Sequence, residues 1–269
     1  MKVAHLSDLH FGRHVSNEQL EALRYDLISR GLDIIVISGD ITDRGTVSQF
    51  RWARDFLQDL NIPFMSVPGN REISVTAFWE WMFPGLAMRR YGRFFGSPDR
   101  ILHRSNGSDT VFFGLNSVHP FPSWPGTIRR DTRHWLREQA GRFPDCSKVL
   151  VLHHPVLPVV RSSSFWAHTL SDAGEVLNIC SHVGITLILQ GHKHRSSIME
   201  IRIPERNTSV VVSASGAPLV PHWDPTYHVI DISATIIVAE RREFSAHGFV
   251  ERGTYGFSFP EGATRGSGT

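Results

Sequence analysis

The chain of 269 residues has few cysteines and no long apolar runs. Its two cysteines, Cys146 and Cys180, are too few for a disulfide framework, and neither has a metal-binding spacing. No run of about 18 apolar residues is present, which excludes an ordinary transmembrane helix. The first apolar run is broken by His5, Ser7 and Asp8, so it does not resemble a signal peptide. We therefore expect a soluble protein of the reducing cytoplasm.

An excess of charge of either sign is also lacking. Lys and Arg number 28 against 26 Asp and Glu, for a formal net charge of +2. Because binding to long nucleic acids depends on a strong positive field, this balance argues against such a partner. A small phosphorylated substrate, met by local groups, is the expected partner. The hydrophobic content of 41% is ample for a buried core.

Apolar runs alternate with amphipathic stretches over the first two thirds of the chain, which predicts strands alternating with helices. Leu20, Leu23, Leu27 and Ile28 form a helical stripe that we expect to face the core. Ser16 is the expected N-cap of this helix and Gly31 its end. In sheets of this kind, ligands bind beyond the carboxyl ends of the strands.

The pattern changes after residue 196, where four strand-like runs follow one another without helices. They predict a second, mostly antiparallel sheet in an α/β fold. We expect one domain over residues 1–241 and an extension over 242–269, whose Gly, Ser and Thr content predicts partial flexibility.

Polar side chains that bind metals follow five of the predicted strands. In chain order they are Asp8, His10, Asp40, Asn70, His153, His192 and His194. Each pair alone is weak evidence, but one sheet edge gathers such residues together. Nitrogen and oxygen donors without thiolate suit Mn first, with Fe, Zn or Co as alternatives. Seven ligands exceed the need of one ion, so we expect two divalent ions that share a bridging carboxylate, best supplied by Asp40.

The ordered motifs "SDLH", "GD", "GN", "HHP" and "GHKH" resemble those of the calcineurin-like metallophosphoesterase superfamily, over residues 2–215. The resemblance implies a four-layered α/β/β/α sandwich and phosphoester hydrolysis by a hydroxide between two ions. It implies two ligand groups that share Asp40: Asp8, His10 and His194 in one, and Asn70, His153 and His192 in the other. His153 directly follows its strand and is therefore preferred over His154, which would support the site. The two histidines with exchanged roles are the alternative.

The corner "GNRE", residues 69–72, departs from the family pattern, which has histidine in place of Arg71 to protonate the leaving oxygen. Arginine does not release its proton, but its planar fork matches a phosphate. A phosphate leaving group needs little protonation. These points favour a phosphoanhydride substrate. One branch of the superfamily that reads Gly-Asn-Arg is the UDP-2,3-diacylglucosamine hydrolases of lipid A synthesis, which act as pyrophosphatases and release UMP.

Three alternatives stay open. Around "HHP" the chain looks more like cyclic-nucleotide phosphodiesterases, so a cyclic-nucleotide or broad phosphodiesterase is the second hypothesis. A non-catalytic, metal-binding scaffold is the third. Arg71 would be structural if it paired with Glu72 or Asp43, in which case His119 or His154 would serve as the acid.

Other segments are candidates for substrate contact. The predicted catalytic residues are Asp40, Asn70, Arg71 and His154. The predicted substrate-binding residues are Arg71, His119, Trp124, Arg129, Arg130 and Arg161. Residues 76–100 interleave large apolar groups with arginines, which fits either a lid for a nucleotide-linked lipid, with peripheral contact at the inner membrane face, or helices packed on the sandwich.

Overall fold

A computed structural model describes residues 1–12, 14–73, 84–105, 109–119, 125–159, 169–204 and 208–259. The strands are β1 (Lys2–Leu6), β2 (Ile34–Ile37), β3 (Phe64–Ser66), β4 (Arg100–Ser105), β5 (Asp109–Gly114), β6 (Ser147–Val151), β7 (Ile185–Gln190), β8 (Ser197–Ile203), β9 (Thr208–Ala214), β10 (Thr226–Ile232), β11 (Ile236–Ser245) and β12 (Gly248–Ser258). The helices are α1 (Asn17–Ser29), α2 (Val47–Asp59), α3 (Pro84–Phe95), α4 (Arg130–Gly141) and α5 (Ala173–Val183), with a 3₁₀ turn at Asn70–Glu72.

The strands form two six-stranded sheets. The first has the order β12-β11-β10-β1-β2-β3 and the second the order β4-β5-β6-β7-β9-β8. In the first sheet β1, β2 and β3 run parallel, and in the second β5, β6, β7 and β9 do so. The parallel strands therefore bring their carboxyl ends, and the loops that follow them, to one edge of each sheet.

Three apolar clusters separate four layers. Val36 and Ile230 of the first sheet pack between the sheets with Val149 and Leu187 of the second. A second cluster joins α1, α2 and α3 to the outer face of the first sheet, and a third joins α4 and α5 to the outer face of the second. The predicted α/β/β/α sandwich is confirmed.

Helix α1 begins where the sequence predicts, because the Ser16 hydroxyl accepts a hydrogen bond from the amide of Gln19 at 3.3 Å. The predicted core stripe is wrong at Ile28, whose side chain is 56% exposed. The helix is turned so that Asp26, rather than Ile28, joins the leucines on the buried face. Asp26 is held there by Arg242, whose Nη2 donates to Oδ1 at 2.8 Å, and by the hydroxyl of Tyr227.

The strands after residue 196 are not one antiparallel sheet, so that prediction is wrong. β8 and β9 extend the second sheet, whereas β10 pairs antiparallel with β1 and carries β11 and β12 into the first. The predicted boundary at residue 241 falls within β11, and residues 248–258 form β12. Residues 260–269 lie outside the described residues.

The described part of the arginine-rich segment is a helix packed on the sandwich. Tyr91 and Phe95 of α3 are buried against Phe50 of α2, and the Tyr91 hydroxyl donates to the Ser66 carbonyl at 2.8 Å. Residues 74–83 of the segment lie outside the described residues. No helix in the described ranges is long and apolar enough to cross a membrane.

Two histidines lie in the apolar layer between the sheets. His5 of β1 and His228 of β10 are both fully buried. Burial, with the charge of Arg241, lowers the pKa of His228 to about 3, and burial, with His228, holds the pKa of His5 well below its usual value. Both imidazoles are therefore neutral at pH 7.

These histidines predict acid sensitivity. Between pH 6.5 and 3 an unfolded chain binds a proton at residue 228 that the folded chain does not, so stability falls as the pH drops through this range. The loss is about 1.4 kcal/mol per pH unit for each such group. Glutamine does not titrate, so His228→Gln should reduce the slope of the free energy of unfolding against pH by the amount that one bound proton contributes. Urea unfolding of metal-free protein at pH 7, 6 and 5 measures this, with exposed His247→Gln as the control; equal slopes in both variants would contradict the prediction.

Candidate metal centre

All seven predicted ligands meet at one edge of the sandwich. Asp8 and His10 follow β1, Asp40 follows β2, and Asn70 follows β3. From the second sheet, His153 follows β6, and His192 and His194 follow β7. Chain segments from residue 8 to residue 194 thus supply one site.

The first ligand group consists of Asp8, His10, Asp40 and His194, one donor atom of each lying within 4.8 Å of the others. His194 Nε2 lies 3.2 Å from His10 Nε2 and 3.3 Å from Asp8 Oδ1. Asp40 Oδ2 lies 3.8 Å from His10 Nε2.

The second ligand group consists of Asn70, His153 and His192. Asn70 Oδ1 lies 3.1 Å from His153 Nε2 and 3.0 Å from His192 Nδ1, and the two nitrogens are 3.2 Å apart. Asp40 Oδ1 lies 3.5 Å from His153 Nε2. The two oxygens of Asp40 therefore face different groups, as a bridging carboxylate requires.

These residues fit two divalent ions. Ligands at about 2.0–2.2 Å from a shared ion are about 3–3.5 Å apart, and the closest donor pairs of the two groups lie 3.2 and 3.0 Å apart. Asp8 Oδ1 is buried and accepts no hydrogen bond from the described residues. Burial opposes its ionisation, but His194 and His10 outweigh that effect and hold the pKa of Asp8 well below its usual value. A buried carboxylate beside converging imidazoles is a site for a cation.

The ligand loops adopt unusual backbone angles. Asp8, His10, Asp40, His192 and His194 all have positive φ, from 47° to 73°. Only two other non-glycine residues of the described chain do so. Each such residue costs roughly 1–2 kcal/mol, and strain of this kind concentrates at functional sites.

Two glycines allow the close approach of the ligand loops. Gly39 has a φ of 98°, and a Cβ there would lie 2.5 Å from His153 Nδ1. A Cβ on Gly69 would overlap the backbone nitrogen and the carboxylate of Asp40. The glycines of "SGD" and "PGN" are therefore part of the site, because any larger side chain would displace a ligand.

Hydrogen bonds orient the ligands. His153 Nδ1 donates to the Ser38 carbonyl at 2.8 Å, which leaves Nε2 without a proton and able to bind a metal ion. The amide of His192 donates to Asp8 Oδ2 at 3.0 Å, and the amide of Arg71 to Asp40 Oδ1 at 2.8 Å. Backbone donors thus hold both carboxylates in the positions from which they would bind the ions.

Sequence reasoning missed two supporting residues. Glu72 is buried and accepts hydrogen bonds from Thr42 and, at 2.7 Å, from the amide of Gly69. Burial and the charge of Asp40 raise the pKa of Glu72 to about 8, against those hydrogen bonds. The segment "PLVPHWDP" is predicted from the sequence only to flank the metal edge, whereas in the structure its Trp223 stacks on His194 with ring centroids 3.7 Å apart. Glu72 could have been found because it belongs to the "GNRE" motif beside Asn70. No local sequence pattern pairs Trp223 with a ligand.

The other predicted site residues lie in varied surroundings. His154 is fully buried, with Nδ1 hydrogen-bonded to Ser117 Oγ at 2.9 Å and its ring packed on His192. His119 Nε2 donates to the Thr127 carbonyl at 3.0 Å. Arg129 and Arg130 are exposed at the start of α4, and no hydrogen bond or ion pair within the described chain joins them to the ligands. Trp124 and Arg161 lie outside the described residues.

Asp40→Asn tests the bridge. Loss of the shared negative charge should reduce the metal content after dialysis from two ions to one or none. It should lower the rate of phosphoester hydrolysis by more than about 100-fold, the upper range for loss of an outer partner alone. Asp43→Asn is the matched control, since Asp43 lies in the same loop but pairs with Arg44 at 3.4 Å. Elemental analysis showing two ions in both variants would refute the bridging role.

Known proteins resemble this chain in sequence. A probable cyclic nucleotide phosphodiesterase of Synechococcus sp. is 25% identical over 209 residues, 74% of this chain and 75% of that protein. A probable glycerophosphodiester phosphodiesterase of Arcobacter nitrofigilis is 26% identical over 61% of this chain and 58% of its own length. The chain thus spans less than two thirds of the second relative.

The fold has solved counterparts. A dimetal phosphatase from Danio rerio superposes with a TM-score of 0.65 and 12% identity, covering 97% of this chain and 99% of that one. This likeness concerns the fold alone. The profile of the calcineurin-like phosphoesterase family matches residues 1–196. With that match and a site that fits two ions, the chain belongs to the calcineurin-like phosphoesterase family and is a metallophosphoesterase, a hydrolase of phosphoester bonds.

Proposed function

We propose that the protein hydrolyses a small phosphodiester, with a cyclic nucleotide as the leading substrate class and a glycerophosphodiester as the second. The observation that carries the chemistry is the Asp40 carboxylate, whose two oxygens face the two ligand groups at 3.8 and 3.5 Å. The diester is favoured because the relatives named above are phosphodiesterases of these two kinds.

The residues of the chain divide the work of such a reaction. When bound, two divalent ions supply an activated water and neutralise phosphoryl oxygens. Asp40 would set the spacing between the ligand groups, and the Ser38 carbonyl would keep His153 in the tautomer that faces the ion. No side chain of the protein needs to act as a nucleophile.

Arg71 is the residue best suited to bind substrate. Its guanidinium makes no hydrogen bond or ion pair with the described residues, and its amide donates to Asp40. The two carboxylates that could have held it are engaged elsewhere: Glu72 by Thr42 and Gly69, and Asp43 by Arg44. An arginine that is partly buried as a residue, and whose amide bonds to the bridging carboxylate, is suited to offer its guanidinium to a non-bridging oxygen of the substrate phosphate.

The lipid pyrophosphate expected from "GNRE" is not supported by the relatives, which favour the diester alternative. The reason for the difference is that the expectation depended on Arg71 alone. An arginine matches one phosphate of a diester as well as the second phosphate of an anhydride. A role in lipid A synthesis likewise has no support beyond Arg71, and manganese has none beyond the donor types of the predicted ligands.

A substrate panel tests the proposal. We expect the highest kcat/KM for 3',5'-cyclic AMP, a lower value for glycerophosphocholine, and little or no cleavage of UDP-2,3-diacylglucosamine, with each divalent metal supplied in turn. The Asp40→Asn variant run in parallel shows that the turnover belongs to the metal centre. A preference for the UDP-lipid in the wild-type enzyme would overturn the diester proposal.

Arg71→His tests the missing proton donor. General acid catalysis is worth about 10²–10⁴ in rate, and it helps alkoxide leaving groups far more than good ones. The variant should therefore raise the ratio of cyclic AMP to bis(p-nitrophenyl) phosphate turnover by at least about tenfold. Arg44→His, on the neighbouring exposed loop, is the control. An unchanged ratio, or one that moves the other way, would show that Arg71 is not at the leaving-group position.

A further inference from the structure

A chain of hydroxyls and imidazoles crosses the apolar layer between the sheets. His5 Nε2 lies 2.9 Å from Ser38 Oγ, and His5 Nδ1 lies 2.8 Å from Ser213 Oγ. Ser213 Oγ also lies 2.7 Å from His228 Nδ1, and His228 Nε2 lies 2.8 Å from Ser196 Oγ. Four contacts thus join five side chains that alternate between imidazole and hydroxyl.

This hydrogen-bond chain crosses between the sheets three times. His5 and His228 belong to β1 and β10 of the first sheet, whereas Ser213 belongs to β9 of the second and Ser196 directly precedes β8. Four of the five residues are fully buried, and Ser196 is partly exposed. Polar groups in such a layer are costly unless every one finds a partner, so their presence calls for a role.

Both ends of the hydrogen-bond chain, Ser38 and Ser196, lie next to predicted metal ligands. At one end, the Ser38 carbonyl accepts the hydrogen bond of His153 Nδ1, a ligand of the second group. At the other, Ser196 lies two residues after His194, and its amide donates to Asp224 Oδ2 at 2.7 Å. Asp224 follows Trp223, the indole of which stacks on His194 of the first group.

In one of its two possible directions, the hydrogen-bond chain gives every proton an acceptor within the protein. Each neutral imidazole has one N–H and one bare nitrogen, and each hydroxyl donates once. The Ser38 hydroxyl has the Leu6 carbonyl at 3.5 Å as a further acceptor. If Ser38 donates there, His5 Nε2–H donates to Ser38, Ser213 donates to His5 Nδ1, His228 Nδ1–H donates to Ser213, and Ser196 donates to His228 Nε2. Every proton of the five groups then has a protein acceptor.

We propose that Ser38, His5, Ser213, His228 and Ser196 form one directional hydrogen-bond chain that positions His153 and His194, one ligand from each group, across the two sheets. These five are positioning residues, since none faces the ligand groups itself. The proposal concerns the metal centre and does not depend on which phosphodiester is the substrate.

The tautomers of the wild-type protein test the direction. Nitrogen-15 spectra of histidine-labelled protein, with and without zinc, should show His5 as the Nε2–H form and His228 as the Nδ1–H form. Assignment follows from His5→Gln and His228→Gln, each of which removes one set of signals. Any other combination of tautomers overturns the chain.

Ser213→Ala tests the link to the metal ligands. Removing the hydroxyl shared by both imidazoles should weaken binding of Zn²⁺ and Co²⁺ by about tenfold, the low end for outer partners of metal ligands, and shift the visible spectrum of the cobalt-loaded protein. Ser181→Ala is the matched control, because Ser181 is also buried but bonds to the Asn178 carbonyl on α5. Each variant is titrated with metal at a temperature that is the same fraction of its own melting temperature, so that all of them are equally far from unfolding. A difference in metal affinity is then not a difference in stability.

A loss of affinity greater than threefold in Ser213→Ala, absent in Ser181→Ala, supports the proposal. A smaller change, or an equal loss in both variants, overturns it, since the chain would then be only a part of the inter-sheet packing. Neither result bears on the substrate, which the panel of diesters tests separately.

Discussion

Each ligand group draws donors from both sheets, and this requirement constrains the rest of the fold. His194 of the second sheet meets Asp8 and His10 of the first, and Asn70 of the first meets His153 and His192 of the second. Donors about 3 Å apart leave little freedom for the two sheets to slide. The relative position of the sheets is therefore as important to the centre as the identity of its ligands.

Several local features oppose folding and are explained by the centre. Positive φ at five ligands, and a buried Asp8 carboxylate whose Oδ1 accepts no hydrogen bond from the described residues, both cost free energy. The apolar core between the sheets and the hydrogen bonds to the ligands offset these costs. Bound ions would offset them further, because binding to the folded state alone adds to stability.

The sequence predicted which polar side chains meet at this edge, because each interrupts an otherwise apolar strand end, where a polar residue has no reason to be buried. Asp40 and Asn70 also follow glycines that the site requires. The placement of β10, β11 and β12 was not predictable, since pairing of β10 with β1 joins residues more than 220 apart and both sheets offer free edges. His5 in "KVAHL" gave no local signal, and "PLVPHWDP" placed Trp223 only near the metal edge, because the partners of both residues come from distant strands and loops.

Anomalous diffraction from crystals of the manganese-loaded protein tests the central claim most directly. Two peaks about 3.5–4 Å apart are expected, with one carboxylate oxygen of Asp40 toward each. One peak should lie among Asp8, His10 and His194, and the other among Asn70, His153 and His192. A single peak at full occupancy, or two peaks that do not share Asp40, would contradict the account.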